Sequence, residues 1–196
     1  MIISINPENP QQRLINRVSE VLDNGGLIAY PTDTFYGIGC DLYNKKGIQQ
    51  IYRIKNRPLS QPFSIICDSL KGISKYAKVS DYAYKTMKRL LPGPYTFILE
   101  GTKLVPKIML TKRKTVGIRV PDNNICLSIV QTLGRPIIST SALIEDPYLI
   151  QDTYSSNLEI VIDGGPLYPS PSSVISMIND VPDVIREGKG DISSFL

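Results

Sequence analysis

The chain has no histidine and no tryptophan, and 3 cysteines in 196 residues. Without histidine there is no Ser-His-Asp or Cys-His catalysis, no His-ligated metal, and no imidazole to act as acid or base near neutrality. Any chemistry must run on positioning, on fixed cations, or on a metal that arrives with the substrate. Cys40, Cys67 and Cys126 are odd in number, far apart and never in a Cys-x-x-Cys pair, which supports neither a disulfide framework nor a structural zinc site. No apolar run approaches the ~20 residues that cross a bilayer, and Met1-Ile2-Ile3-Ser4-Ile5-Asn6-Pro7 has no basic stretch leading into a long apolar one. A soluble protein of the reducing cytoplasm, without membrane contact or a metal site of its own, is expected. There is also no Gly-x-x-x-x-Gly-Lys-Ser/Thr loop, which excludes an ordinary P-loop nucleotide site.

What is present is enough for one core. With 42% hydrophobic residues, the chain is expected to fold as a single domain over residues 1–196. The net charge of +4 is mild, fitting a protein that handles an acidic small molecule, alone or beside a nucleic acid.

Periodicity predicts helices over Pro10–Asn24, Lys46–Lys55, a short one from Asp68 or Ser69 to Tyr76, Ser80–Leu91, and one capped by Asn123 or Asn124 and stopped by Gly134. Strands are predicted at Ile2–Ile5, Leu27–Tyr30, Phe63–Cys67, Tyr95–Leu99, Thr115–Pro121, Pro136–Ser139, 160–163, 173–176 and 183–186, with Gly39–Leu42 extended. Asp146 to Leu158 is weakly patterned and reads as a loop that has room for one helical turn. Alternating strands and helices followed by a run of strands imply an α/β fold, an open twisted mixed β-sheet with helices packed on it.

The stretch from Leu27 to Cys67 carries the chemistry. An apolar strand runs into Pro31-Thr32-Asp33-Thr34-Phe35-Tyr36-Gly37-Ile38-Gly39. Pro31 stiffens the exit, Thr32 and Thr34 offer hydroxyls, and Gly37 and Gly39 let the main chain approach a ligand. Lys55 and Arg57 flank one residue at a helix end, and in an extended exit both would face one side, a pairing suited to a polyphosphate. Taken singly, each feature is ordinary: a turn at Gly37-Ile38-Gly39, a solvated helix end at Lys55, a wet basic surface from Lys103 to Lys114.

Tyr30-Pro31-Thr32-Asp33-Thr34-Phe35-Tyr36-Gly37, Lys55-Asn56-Arg57-Pro58, Pro92-Gly93-Pro94-Tyr95-Thr96-Phe97, Val116-Gly117-Ile118-Arg119-Val120-Pro121, Ser139-Thr140-Ser141-Ala142 and Arg186-Glu187-Gly188 together resemble the YrdC-type threonylcarbamoyl-adenylate synthases. The blocks occur in order over nearly the whole chain. Residues 101–121 and the terminus Gly188–Leu196 are most similar to the YciO branch. The resemblance implies synthesis of threonylcarbamoyl-AMP and pyrophosphate from threonine, bicarbonate or CO2, and ATP with its accompanying Mg2+, serving tRNA threonylcarbamoyladenosine (t6A) modification with t6A-transferring proteins as partners. A carbamate is already an anionic nucleophile, so the chemistry suits a chain without histidine.

The same resemblance implies roles by position. Lys55, Arg57 and Ser141 would be catalytic. Thr34, Arg119, Ser139 and Ser172 would hold threonine, with Arg119 forking to its carboxylate. Lys55, Arg57, Gln61, Thr115, Ser141 and Arg186 would contact ATP. Leu143 departs from the pattern: it stands where the family's Ser-x-Asn motif has asparagine, and it can neither donate nor accept a hydrogen bond. Two other readings stay open, carbamoyl-adenylate chemistry with another acceptor and a non-synthetic module that binds tRNA or double-stranded RNA through Lys103–Lys114.

Overall fold

Strands apolar at every position need both faces covered, and the computed structural model, which describes residues 1–195, shows what covers them. The strands are β1 (Ile2–Ser4), β2 (Ile28–Tyr30), β3 (Gly37–Gly39), β4 (Ser64–Ile66), β5 (Tyr95–Glu100), β6 (Thr115–Arg119), β7 (Ile137–Ser141), β8 (Ile160–Asp163), β9 (Ser173–Ser176) and β10 (Asp183–Arg186). The helices are α1 (Gln12–Asp23), α2 (Lys45–Ile54), α3 (Leu70–Tyr76), α4 (Asp81–Leu90), α5 (Asn124–Leu133) and α6 (Pro147–Tyr154). Leu196, the last residue of the terminal block noted above, lies outside the described residues.

The strands form one sheet in the order β1-β8-β2-β3-β7-β4-β6-β5-β9-β10. Its pairings are mixed. β1 with β8, β2 with β8, β4 with β6 and β5 with β9 run parallel, and the other neighbours run antiparallel. The expected open mixed sheet with packed helices is what the chain forms.

Side chains two apart on a strand share a face, so each strand divides its residues between two cores. Ala29, Ile65, Phe97, Ile118, Ile138 and Val161 face the larger core, with Ile48 and Ile51 of α2, Ile73 of α3, Met87 of α4 and Ile150 of α6. Ile28, Tyr30, Ile66, Ile137, Ile160 and Ile162 face the other core, under Ile15, Val18 and Leu22 of α1 and Ile125, Ile129 and Leu133 of α5. On that second face α1 and α5 do not reach every strand. Beyond them the residues in register with Ile66 and Ile137 change from isoleucine to Ser64, Ser139 and Ser141, and the sheet is left open.

Local chemistry sets the helix starts. Asn44, Ser69, Ser80 and Asn123 each accept a backbone N–H of their first turn, and Gly134 closes α5 in the left-handed region at φ 72°. α6 corrects the sequence reading, since an eight-residue helix occupies Pro147–Tyr154 where a loop was expected. Its signal was the Asp146-Pro147 pair, an N-cap followed by proline in the first turn. Gly39–Leu42 is also shorter as a strand than expected: β3 ends at Gly39, and only Asp41 makes a bridge, to Ile137.

The glycines of β3 serve the sheet. A Cβ on Gly37 would press on the Tyr30 ring, and one on Gly39 would overlap both that ring and the Ile138 carbonyl oxygen. Fully buried Tyr30 packs against both glycines, and Gly37 also lines the cleft described below. Gly39→Ala should therefore destabilise the fold by about 1–3 kcal/mol, lowering the melting temperature by roughly 3–10 °C in a thermal melt.

Candidate active site

The open part of the sheet face is the floor of a cleft of about 830 Å3. Thr96 and Ile98 of β5, Thr115, Gly117 and Arg119 of β6, and Ser139 and Ser141 of β7 line it, each set spaced by two, with Thr140 beside them, while the neighbouring Phe97, Ile118 and Ile138 point into the large core. Serine, threonine and glycine leave room there and supply hydroxyls. A Cβ on Gly117 would already crowd the Ser64 hydroxyl.

One wall is the bend after β2. Thr32 Oγ1 donates to the Phe35 carbonyl (2.7 Å), accepts the Thr34 N–H (3.0 Å) and lies 3.0 Å from Thr34 Oγ1, so the threonine side chains build the turn themselves. Arg119, at the end of β6, meets this bend. Its Nη2 donates to Asp33 Oδ1 (2.7 Å) and Thr34 Oγ1 (3.0 Å), and the two charged side chains are only 10% and 6% exposed. Its Nε is buried with no hydrogen-bond partner among the described residues. Arg119 was expected to offer its whole fork to a ligand; one nitrogen is committed to the protein.

The opposite wall carries Lys55 and Arg57. The sequence reading assumed an extended exit from α2, but Asn56 takes φ 45° and closes the helix in a left-handed turn, its N–H bonding Arg53 O (3.1 Å) and that of Arg57 bonding Tyr52 O (3.1 Å). Asparagine tolerates this conformation better than most residues, and the turn brings both neighbours to the cleft. The Arg57 guanidinium lies 5.0 Å from the centre of the Phe63 ring, and Phe63 packs on Tyr52 at 4.3 Å between ring centres.

At the third side, Arg186 Nε and Nη2 both donate to the Ser172 carbonyl (3.1 and 2.8 Å), and Ser172 Oγ lies 2.8 Å from Thr96 Oγ1. Gly188 packs so closely on Pro171 and Ser172 that it has no room for a side chain.

All ten residues singled out above (Thr34, Lys55, Arg57, Gln61, Thr115, Arg119, Ser139, Ser141, Ser172 and Arg186) line this cleft, as does Leu143. Sequence reasoning missed the pairing of Asp33 with Arg119, the support of Arg57 by Phe63, and Lys189, whose Nζ donates to the Asp33 carbonyl (2.8 Å). Asp33 and Phe63 sat inside noted stretches, but nothing local marked their partners.

None of the described residues lining the cleft is acidic, and four are cationic. Burial, and then the neighbouring Arg57, lower the Lys55 pKa, and burial followed by Arg119 lowers that of Arg186. Both cations are held at some cost, which an anion in the cleft would relieve. The cysteines are free and buried, none of them lines the cleft, and burial pushes each thiol pKa up. Among the described residues no cluster of three metal-ligating side chains occurs, and no helix is long and apolar enough to cross a membrane.

A family model described as telomere recombination (Sua5_yciO_yrdC) matches residues 20–188. The chain belongs to the Sua5/YciO/YrdC family. YciO of Escherichia coli is 42% identical over 200 residues, spanning 98% of this chain and 97% of its own. Its crystal structure matches with a TM-score of 0.96 over 100% and 99% of the two chains. Pyrococcus abyssi Sua5, in a crystal structure with L-threonine, is 28% identical with a TM-score of 0.88, over 96% of this chain and 57% of that one. A Hydrogenovibrio crunogenus protein named threonylcarbamoyl-AMP synthase is 35% identical over 139 residues, spanning 68% of this chain and 75% of its own.

Within this Sua5/YciO/YrdC domain Leu143 sits at the cleft rim, 71% exposed, with φ 59°. Its N–H bonds Ser141 Oγ (3.1 Å). A left-handed leucine is strained, and so exposed a side chain recovers little by packing. Leu143→Asn should raise stability by about 1 kcal/mol, seen as a rise of roughly 2–4 °C in melting temperature.

Proposed function

We propose that this chain makes threonylcarbamoyl-AMP from ATP, bicarbonate or CO2, and threonine, as a step towards t6A in tRNA. The observation that carries this reading is one cleft with four cations, a hydroxyl floor and no acidic lining among the described residues. Such a site suits a triphosphate at Lys55 and Arg57, with Gln61, Thr115, Ser141 and Arg186 around the nucleotide, and a small polar amino acid among Thr34, Arg119, Ser139 and Ser172. The relatives named threonylcarbamoyl-AMP synthase, and the one solved with L-threonine, support the same assignment.

In the reaction the threonine amine adds to CO2 and loses a proton to give a carbamate. A carbamate oxygen then attacks the α-phosphorus of ATP, forming the mixed anhydride as the bond to the β,γ-pyrophosphate breaks. The nucleophile is anionic before it attacks, so the protein's work is alignment and neutralisation of the leaving charge. Lys55, Arg57 and Ser141 would do this, with Phe63 holding the Arg57 guanidinium. Since no carboxylate of the described residues lines the cleft, Mg2+ would enter bound to the triphosphate.

The test is incubation with ATP, Mg2+, bicarbonate and labelled threonine, which should release pyrophosphate and form the labelled adenylate. Other small amino acids run in parallel test for a different acceptor. Arg57→Ala should lose the thermal shift that ATP causes in the wild type. No product from a folded protein would sink the synthase reading. If RNA binding falls steeply with salt and neither ligand shifts the melt, the exposed basic segment Lys103–Lys114 is the functional surface instead.

The lowered Lys55 pKa has a consequence with a definite sign. Lysine is charged below its pKa, so its contribution to pyrophosphate affinity should be present below that lowered value and be lost as pH rises through it, earlier than an unperturbed lysine would allow. Lys55→Arg should carry the affinity to higher pH. Titrations of pyrophosphate binding across the alkaline range check this, and an identical fall in both proteins would contradict it.

A further inference from the structure

Asp33 contributes no surface to the cleft, yet three parts of the chain converge on it. Its Oδ1 accepts from Arg119 Nη2 (2.7 Å), its Oδ2 accepts the Asp122 N–H (3.0 Å), and its carbonyl accepts from Lys189 Nζ (2.8 Å). These bonds join the bend after β2 to the end of β6, to the turn before α5, and to the C-terminal segment that carries Arg186. The Asp33 side chain is 6% exposed, so the bonds to its carboxylate are shielded from water. Both carboxylate oxygens are used, one on the arginine and one on the main chain that follows it.

We infer that Asp33 is a positioning residue for amino-acid recognition: it fixes the plane of the Arg119 guanidinium, so that the donors not held by the protein are presented to the substrate carboxylate. The inference rests on the threonine-binding reading of the cleft. Two physical effects of Asp33 oppose one another, which makes the role decidable. As a charge, Asp33 partly neutralises Arg119 and repels a second carboxylate, so removing it should tighten amino-acid binding. As a clamp, it holds a long side chain in one geometry, so removing it should weaken binding. The partnerless buried Nε of Arg119 favours the clamp, because a guanidinium free to turn would not leave that N–H unpaired out of water.

Asp33→Asn tests this with little change of shape. An amide has one acceptor atom where the carboxylate has two, so the bond to Arg119 or the bond to Asp122 is lost together with the charge. At saturating ATP and bicarbonate, the threonine concentration for half-maximal pyrophosphate release should rise about 10-fold while the value for ATP stays within about 2-fold. An unchanged or lower threonine requirement overturns the inference. Asp33→Asn/Arg119→Gln removes both buried charges together, and it decides the matter even if Asp33→Asn alone folds poorly. It should match Arg119→Gln in threonine requirement, and a further 5-fold loss would show that Asp33 acts apart from Arg119.

A readout independent of catalysis separates this inference from the functional reading. The Arg119 Nε–H resonance, assigned by its disappearance in Arg119→Gln, should shift and exchange faster with water in Asp33→Asn without any ligand. If it does so in a protein that ignores threonine, the synthase reading fails and the clamp stands. An unmoved resonance overturns the clamp whatever the activity.

Discussion

A guanidinium nine-tenths removed from water cannot stand alone, and the arrangement around Arg119 follows from that. Its partner, Asp33, lies 86 residues earlier in the chain, in a bend whose backbone is shaped by Thr32. Breaking a buried pair of this kind by removing one member costs about 3–5 kcal/mol, since it leaves the other charge unpaired. The pair therefore fixes the distance between the end of β6 and the exit of β2. Lys189 extends the tie to the C-terminal segment, and that segment delivers Arg186. The bend, the end of β6 and the C-terminal segment are thus referred to one residue, Asp33, through its carboxylate and its carbonyl.

The cleft exists because one face of the sheet is incompletely covered. α1 and α5 shield the isoleucines of β4 and β7, and where they stop the same strands present serine. A floor of small hydroxyl residues tolerates exposure and offers hydrogen bonds, whereas larger apolar residues there would have drawn in a covering element or a partner. The cations of the cleft have no acidic neighbours among the described lining residues, and burial, followed by a neighbouring guanidinium, lowers the pKa of two of them, Lys55 and Arg186. Such a site costs stability when empty and recovers it when an anion enters. This is the condition under which alignment and charge neutralisation can replace an imidazole.

Much of this was legible residue by residue. Amphipathic spacing marked α1 to α5 to within a residue or two, because helix periodicity and capping depend on neighbours three or four positions apart. The alternation in Thr115-Val116-Gly117-Ile118-Arg119 already separated a core face from a polar one. The ten candidate residues converge on one hollow, since each lay in a short block whose side chains a strand end or a helix cap aims outward. α6 escaped because its apolar residues do not keep to one face, Ile150 being buried while Tyr148 and Leu149 are exposed, and the Asp146-Pro147 start was read as a loop.

Composition and local pattern determined that this chain would form a mixed α/β sheet without histidine, with a hydroxyl-bearing bend after its second strand and a pair of cations at the end of the following helix. Tertiary structure alone decided that Gly37 and Gly39 make room for Tyr30, that Arg119 spends one nitrogen on Asp33, and that Leu143 takes a left-handed conformation at the rim. The physical reason is range. Periodicity, caps and turns are settled by neighbours a few residues away, while a buried charge pair or a close ring contact depends on which distant strands lie side by side, and no local stretch encodes that.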